Sequence, residues 1–145
     1  LEEELSLANR NHTPLYLAII DLDHFKRVND NYGHHSGDEV LSRFARIASQ
    51  GLRKSDLLAR YGGEEFVVLF PHATEAACEA ALERLRRRFA EQGYSFASDI
   101  KTTFSAGLTA FQPGETADQL IKRADSALYE AKSRGRNQVV QLPLS

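Results

Sequence analysis

The sequence contains almost no sulfur-containing residues and no long apolar run. Of its 145 residues one is a cysteine, Cys78, and none is a methionine or a tryptophan. A single cysteine excludes an internal disulfide framework and a zinc site built from several thiolates, and the five histidines show no zinc-ligand spacing. No apolar stretch approaches the length of a membrane-spanning helix. We therefore expect a reducing, cytoplasmic setting and no direct membrane contact from this fragment.

An excess of positive charge is also missing, since 18 basic residues face 20 acidic ones and the net charge is −2. Proteins that bind a nucleic-acid polymer are usually basic, so we expect no such partner. Any phosphate group must then be bound by individually placed residues. The length and the hydrophobic content of 42% predict one domain over residues 1–145, with a helix or linker at 1–13. Because no methionine opens the chain, we expect a fragment of a longer protein, either free or the cytoplasmic part of a membrane-anchored one.

Apolar runs and helix-capping patterns predict an alternation of strands and helices. Strands are predicted at 15–20, 57–61, 65–70, 102–111 and 138–142. Helices are predicted at 25–32, from a Ser36–Glu39 capping box to about 50, from Thr74 to about 92, and from Thr116 to Gly135. A hairpin around Gly62-Gly63 interrupts the alternation. The fold class is therefore α+β, an α/β sandwich with a mostly antiparallel central sheet flanked by helices.

Carboxylates stand at the edges of two apolar runs. Asp21 and Asp23 follow the first predicted strand, and Glu64 and Glu65 lie at the hairpin. Bare acids at strand ends are costly unless something positive neutralises them. If the first strand lies beside the hairpin, Asp21, Asp23 and Glu64 converge, and such oxygen ligands suit Mg²⁺ or Mn²⁺ on a triphosphate. The alternative is that these residues are solvated turn acids.

Three cations and two polar residues accompany the acids. Lys26 opens a predicted helix, where donors can reach a phosphate. Lys132 and Arg136 end the last helix, and they could bind phosphate or simply complement the helix dipole. Asn29 and Asp38 flank a glycine-rich turn. A carboxylate there can accept hydrogen bonds from guanine N1–H and the N2 amino group, although both residues could also be ordinary helix-end residues.

Taken together, five spaced motifs resemble the GGDEF domains, the family of diguanylate cyclases. They are Asp21-Leu22-Asp23-His24-Phe25-Lys26, Asn29-Asp30, Gly33-His34, Gly37-Asp38 and Gly62-Gly63-Glu64-Glu65-Phe66. The segment from Tyr129 to Asn137 is also typical of the family, so the resemblance extends from about Leu15 to Val140. It implies a palm-like fold similar to nucleotidyl cyclases, and condensation of two GTP molecules into cyclic di-GMP with release of pyrophosphate.

The resemblance also implies roles for the acids. Asp21, the carbonyl oxygen of Leu22, and Glu64 would hold Mg²⁺ or Mn²⁺. Glu64 and Glu65 would be catalytic, with Glu65 assisting a second metal or the deprotonation of the 3′-hydroxyl group. Asp23 would support the metal ligands from behind.

Further positions would bind GTP according to the same resemblance. They are Phe25, Lys26, Asn29, Asp38, Gly62, Gly63, Lys132 and Arg136. Asn29 and Asp38 would recognise guanine. The three basic residues would hold phosphates beside backbone N–H groups near Phe25, with Lys26 also counted as catalytic, and the two glycines would leave room for the triphosphate.

A second motif suggests product inhibition. Arg53 and Asp56 fit the family's RxxD pattern, with five residues between Asp56 and Gly62, and Arg84 lies where a second inhibitory arginine often stands. The resemblance implies that cyclic di-GMP binds there and inhibits. The alternative is an exposed loop pair of little energetic value.

Two features of the sequence bear on how active this chain is as an enzyme. The Asp-x-Leu-Thr turn that normally precedes the domain and braces the hairpin is absent from this sequence. Catalysis in the family needs a homodimer, and nothing here looks like a dimerisation helix, so we expect a slow enzyme. The alternatives are a degenerate domain that binds GTP or cyclic di-GMP as a receptor, and a cyclase that uses ATP.

Overall fold

The computed structural model describes residues 1–142, which form five helices and five strands. The helices are α1 (Glu2–Asn11), α2 (Phe25–Tyr32), α3 (His34–Gly51), α4 (Glu75–Ala90) and α5 (Ala117–Ser133). The strands are β1 (Leu15–Leu22), β2 (Leu57–Gly62), β3 (Glu65–Pro71), β4 (Phe104–Ala110) and β5 (Gln138–Gln141). The predicted order of elements is therefore confirmed.

The five strands form one sheet in the order β2-β3-β1-β4-β5. The central strand β1 pairs antiparallel with both β3 and β4, and β5 pairs parallel with β4. The α+β class and the mostly antiparallel sheet are thus confirmed. Since β3 is the second strand of the hairpin, the acids that end β1 lie directly beside the hairpin tip.

Helices cover both faces of the sheet. On one face α2, α3 and α4 pack against the sheet around the ring of Phe44, whose centroid lies 4.6 Å from that of Phe66 and 5.3 Å from that of Phe89. On the other face α1 and α5 pack against Leu17 and Ile19 of β1. Because both of its faces are covered, β1 is a continuous apolar run that stops only at Asp21.

The caps of three helices can be compared with the sequence patterns. Thr74 caps α4 and Thr116 forms a capping box with Gln119, as predicted. The Ser36 capping box is wrong, because α3 begins at His34 and the Ser36 hydroxyl donates to the Tyr32 carbonyl instead. The cause is Gly33, whose φ of 89° lets α3 follow α2 after a single residue.

Cys78 is the expected small core residue of α4. It is fully buried on the same helix face as Leu82, Leu85 and Phe89. Burial raises the pKa of its thiol to about 12, so the side chain is protonated and inert at neutral pH. No helix within residues 1–142 combines the length and the apolar character that crossing a bilayer requires.

Candidate active site

A groove of about 400 Å³ lies between the hairpin tip and the paired helices α2 and α3. Its lining includes Phe25, Lys26, Asn29, His34, Asp38, Leu41, Arg60, Gly63 and Glu64. Six of these were predicted as site residues from the sequence. The groove thus combines the predicted guanine-recognising pair, a phosphate-binding lysine and one acid of the hairpin.

The close approach of α2 and α3 brings together Asn29 and Asp38, the two residues predicted to recognise guanine. Gly37 in α3 is buried, and a Cβ atom at that position would overlap the side chain of Asn29. The single-residue break at Gly33 and the missing side chain at Gly37 therefore let Asn29 and Asp38 line the same groove. The groove opens beside Lys26, one residue into α2.

The end of β1 is joined to the hairpin by backbone pairing. The N–H group of Leu22 donates to the carbonyl oxygen of Glu64 at 3.1 Å, and Asp21 stands opposite Glu65 in the β1–β3 register. Residues directly opposite each other share a sheet face, so these two carboxylates are neighbours. Glu64 is a lining residue of the groove, and Asp21 bonds to Lys132 of α5.

The acidic end of the sheet is only partly neutralised. Asp21 is buried and accepts a hydrogen bond from Lys132 Nζ at 2.5 Å. Burial and the nearby Asp21 carboxylate raise the pKa of Glu65, an effect that Lys132 opposes. This end of the sheet therefore brings two neighbouring carboxylates to one lysine ammonium group.

Comparison with known proteins identifies the family of this chain. The family model described as "Diguanylate cyclase, GGDEF domain" matches residues 1–138. The chain belongs to the GGDEF family. It is 44% identical over 140 residues to diguanylate cyclase DgcP of Pseudomonas aeruginosa, covering 96% of this chain but only 21% of DgcP.

Solved structures of GGDEF domains have the same fold. The GGDEF domain of DgcB from Caulobacter crescentus, in complex with c-di-GMP, superposes with a TM-score of 0.93 at 33% identity, over 97% of this chain and 85% of that one. The active GGEEF domain of a diguanylate cyclase from Vibrio cholerae has a TM-score of 0.91 at 33% identity, over 99% of this chain and 92% of that one. The GGEEF sequence occurs here as Gly62–Phe66.

The donors available in this GGDEF domain fit a hard divalent cation. Within residues 1–142 no three acidic, histidine or cysteine side chains form a metal cluster by themselves. Mg²⁺ is usually held by one or two carboxylates together with substrate phosphates and water, so a complete protein cage is not needed. The oxygen-only donors and the negative charge around Asp21 and Glu65 match that preference.

The remaining predicted residues lie around the same end of the sheet. Asp23 accepts hydrogen bonds from the hydroxyls of Thr103 and Ser105 and from the backbone N–H of Asn137. Three hydrogen bonds thus fix its carboxylate, two residues after Asp21. Arg136 is exposed in the turn after α5 and does not line the groove.

Gly62 and Arg60 shape the hairpin tip. Gly62 ends β2 opposite Glu65, and Gly63 has open space around its α-carbon. Arg60 lies on β2, two residues before Gly62, and no role was predicted for it from the sequence. Its guanidinium donates to the Gly63 carbonyl at 3.1 and 2.6 Å and so fixes the tip. The sequence does not indicate whether the Arg60 side chain bonds to the hairpin or extends into solvent.

The three residues of the predicted inhibitory site meet at a second cavity, of about 250 Å³, between β3 and α4. Arg53 donates to Asp56 Oδ1 through Nε at 3.1 Å and Nη2 at 2.8 Å, and also to the carbonyl of Pro71. Arg84 lines the same cavity from α4. The Arg53 guanidinium is half exposed and the Asp56 side chain is nearly buried, so the motif is a preformed structure with an accessible cation.

Proposed function

We propose that this GGDEF domain is a diguanylate cyclase that condenses two GTP molecules into cyclic di-GMP and releases pyrophosphate. The observation that carries the proposal is the position of Glu64, which lines the polar groove of Asn29 and Asp38 and whose carbonyl accepts from Leu22 at the acidic end of β1. The groove can hold a base, and the acids would hold a divalent cation that receives the triphosphate. The name of DgcP supports the same activity.

Guanine recognition rests on Asp38 and Asn29. The Asp38 carboxylate can accept hydrogen bonds from N1–H and from the N2 amino group, and the Asn29 amide can contribute a further polar contact. Adenine has neither of those donors. The groove therefore favours GTP over the alternative of ATP.

The phosphates and the reacting hydroxyl would meet at the end of β1. Asp21, the Leu22 carbonyl and Glu64 would hold Mg²⁺ or Mn²⁺. When bound, the ion acidifies the attacking 3′-hydroxyl group and offsets charge on the triphosphate. Lys26, Lys132 and Arg136 would bind phosphate oxygens. Glu65, which stands opposite Asp21 in the sheet, can accept the hydroxyl proton.

Each chain would bind one GTP in its groove, so one turnover would need two chains. Cyclic di-GMP has two equivalent halves, and each would come from a GTP bound to a separate domain. Two domains must then face each other across a two-fold axis, with the 3′-hydroxyl of each GTP directed at the α-phosphate of the other. The functional partner is therefore a second copy of this domain.

The direct test is to incubate the chain with GTP and Mg²⁺ and to measure cyclic di-GMP and pyrophosphate. The same assay is run on a version joined to a dimerising coiled coil. We expect slow formation by the chain alone, rising more steeply than linearly with its concentration, and faster formation by the fused version. Binding of GTP without product in either version, with Mg²⁺ and with Mn²⁺, would favour the receptor alternative.

Product inhibition would act through the second cavity, and the Arg53→Ala variant tests it. The guanidinium can donate to guanine or phosphate, so its loss should raise the concentration of cyclic di-GMP needed for half-inhibition by roughly ten-fold or more. The initial rate without product should stay close to that of the unmodified protein. The matched control is Lys54→Ala, which changes an exposed neighbouring cation. Equal product sensitivity in both variants would remove the inhibitory role from Arg53.

A further inference from the structure

The turn that follows α5 has an unusual backbone. Gly135, Arg136 and Asn137 have φ values of 112°, 64° and 49°, three successive residues with positive φ. The glycine is explained by the helix end, because the N–H of Arg136 donates to the Ala131 carbonyl at 2.9 Å and that of Gly135 to Lys132, as in a Schellman motif. Residues with side chains seldom adopt this region; asparagine does so more readily than most, but arginine does not. Other contacts must hold them there.

Two contacts hold Asn137, one at its backbone and one at its side chain. The backbone N–H donates to Asp23 Oδ2 at 3.0 Å, and the side-chain Oδ1 accepts from Arg86 Nη1 at 2.7 Å. Arg86 lies on α4, far away in sequence and outside the predicted site. The turn is therefore fixed between the end of β1 and a helix that contributes nothing to the groove.

Glu83 orients the Arg86 side chain. The Nε atom of Arg86 lies 3.1 Å from both carboxylate oxygens of Glu83, and Nη2 donates to Oε1 of the same residue. These bonds leave Nη1 directed at Asn137. A rigid fork is needed to make both contacts at once, and a lysine ammonium group cannot reproduce it.

We propose that Arg86 is a positioning residue for the nucleotide site, acting through Asn137 on Arg136 and Asp23. The inference rests on the proposed function, because it assigns Arg136 to phosphate binding. Fixing Asn137 in its left-handed conformation presents Arg136 at the acidic end of the sheet. The same contact keeps the Asn137 donor on Asp23, two residues from Asp21.

The ordinary explanation for Glu83 and Arg86 is an exposed ion pair on one helix that contributes little to stability. Two observations favour the positioning role. The Arg86 side chain is only 18% exposed, whereas its neighbour Arg87 is 72% exposed and pairs with Glu83 at 3.6 Å. Arg86 also bonds across 51 residues of sequence to the turn, which a simple helix pair does not do. Arg87 therefore provides a matched control on the same helix.

The first measurement does not depend on turnover. Amide hydrogen exchange at Asn137 reports whether its N–H stays bonded to Asp23. We expect Arg86→Ala and Arg86→Lys to speed that exchange by about ten-fold or more, with no change at the amides of β1, and Arg87→Ala to leave both unchanged. Unchanged exchange at Asn137 in Arg86→Ala would overturn the proposal even if the enzyme proved active.

The second measurement is kinetic, in the coiled-coil fusion. Arg86→Ala should raise the KM for GTP by about ten-fold and lower kcat by less, and Arg86→Lys should not rescue it. In an Arg136→Ala background the same change should raise the KM by clearly less than ten-fold, because one of the two groups that Arg86 positions is already gone. Full additivity of the two changes would overturn the inference. Should the unmodified fusion form no cyclic di-GMP, the proposed function fails, while the exchange experiment still decides the role of Arg86.

Asn137→Gly guards against a variant that fails to fold. Glycine relaxes the left-handed conformation at position 137 and removes only the acceptor for Arg86. We expect this variant to unfold at the same denaturant concentration as the unmodified chain and yet to show the raised KM. A KM equal to that of the unmodified protein would contradict the positioning role.

Discussion

Glu64→Gln should lower the rate of cyclic di-GMP formation by about a thousand-fold or more. The substitution keeps the shape of the side chain and removes its charge. Within residues 1–142, Glu64 is the acid that both accepts a backbone hydrogen bond from Leu22 at the end of β1 and lines the groove with Asn29 and Asp38. An amide at this position is a poor ligand for Mg²⁺, so the charge on the triphosphate would remain uncompensated.

The measurement is the initial rate of product formation at saturating GTP and Mg²⁺ in the coiled-coil fusion, with folding checked by circular dichroism. Glu91→Gln is the matched control, since Glu91 is an exposed acid at the end of α4 and should leave the rate unchanged. GTP binding should persist in Glu64→Gln, because Asn29 and Asp38 are intact. A rate within ten-fold of the unmodified protein would exclude Glu64 from the metal site.

The fold could be predicted well because its elements have strong local signals. The run from Leu15 to Ile20 is apolar on both faces, and Thr74 and Thr116 cap their helices as their sequence patterns indicate. The error at Ser36 arose because the Ser–Glu capping pattern and a tight one-residue break at Gly33 compete for the same position. Local spacing cannot show that α3 follows α2 without a loop.

The groove was predictable for a different reason. Asn29, Asp38 and Glu64 belong to motifs whose spacing is specific, and the structure brings them to one groove. Their roles in binding GTP stay predictions. The ion pair between Asp21 and Lys132 joins residues 111 positions apart, and no pattern in the sequence pairs them.

Arg86 makes the contact that is hardest to predict from the sequence. In the sequence it is one of several basic residues on α4, three residues after a glutamate, which is the spacing of an ordinary surface pair. Its contact with Asn137 depends on the three left-handed residues after α5, and only the glycine among them is a sequence signal. Contacts that depend on backbone conformation at both ends are outside the reach of spacing arguments.

The second large effect is expected in the sheet, at Gly107 in β4. A Cβ atom at this position would lie 2.2 Å from the Ala124 carbonyl oxygen and 2.3 Å from the backbone nitrogen of Leu128. Both atoms belong to the backbone of α5, which cannot turn away as a flexible side chain could. Gly107→Ala should therefore lower the free energy of unfolding by about 3 kcal/mol, since α5 has to move off the sheet.

Urea denaturation followed by circular dichroism measures this loss, with Gly93→Ala as the control. A Cβ atom added at Gly93 would meet no atom within 4 Å beyond its chain neighbours, and the backbone there has no positive φ. An alanine at that position should change stability by less than about 0.5 kcal/mol.

A displaced α5 also shifts Lys132, which bonds to Asp21. Gly107→Ala should thus lose activity even at temperatures where it stays folded. If Gly107→Ala were as stable as Gly93→Ala, α5 would not pack on β4 as closely as described. The position of Lys132 at the acidic end of β1 would then also be wrong.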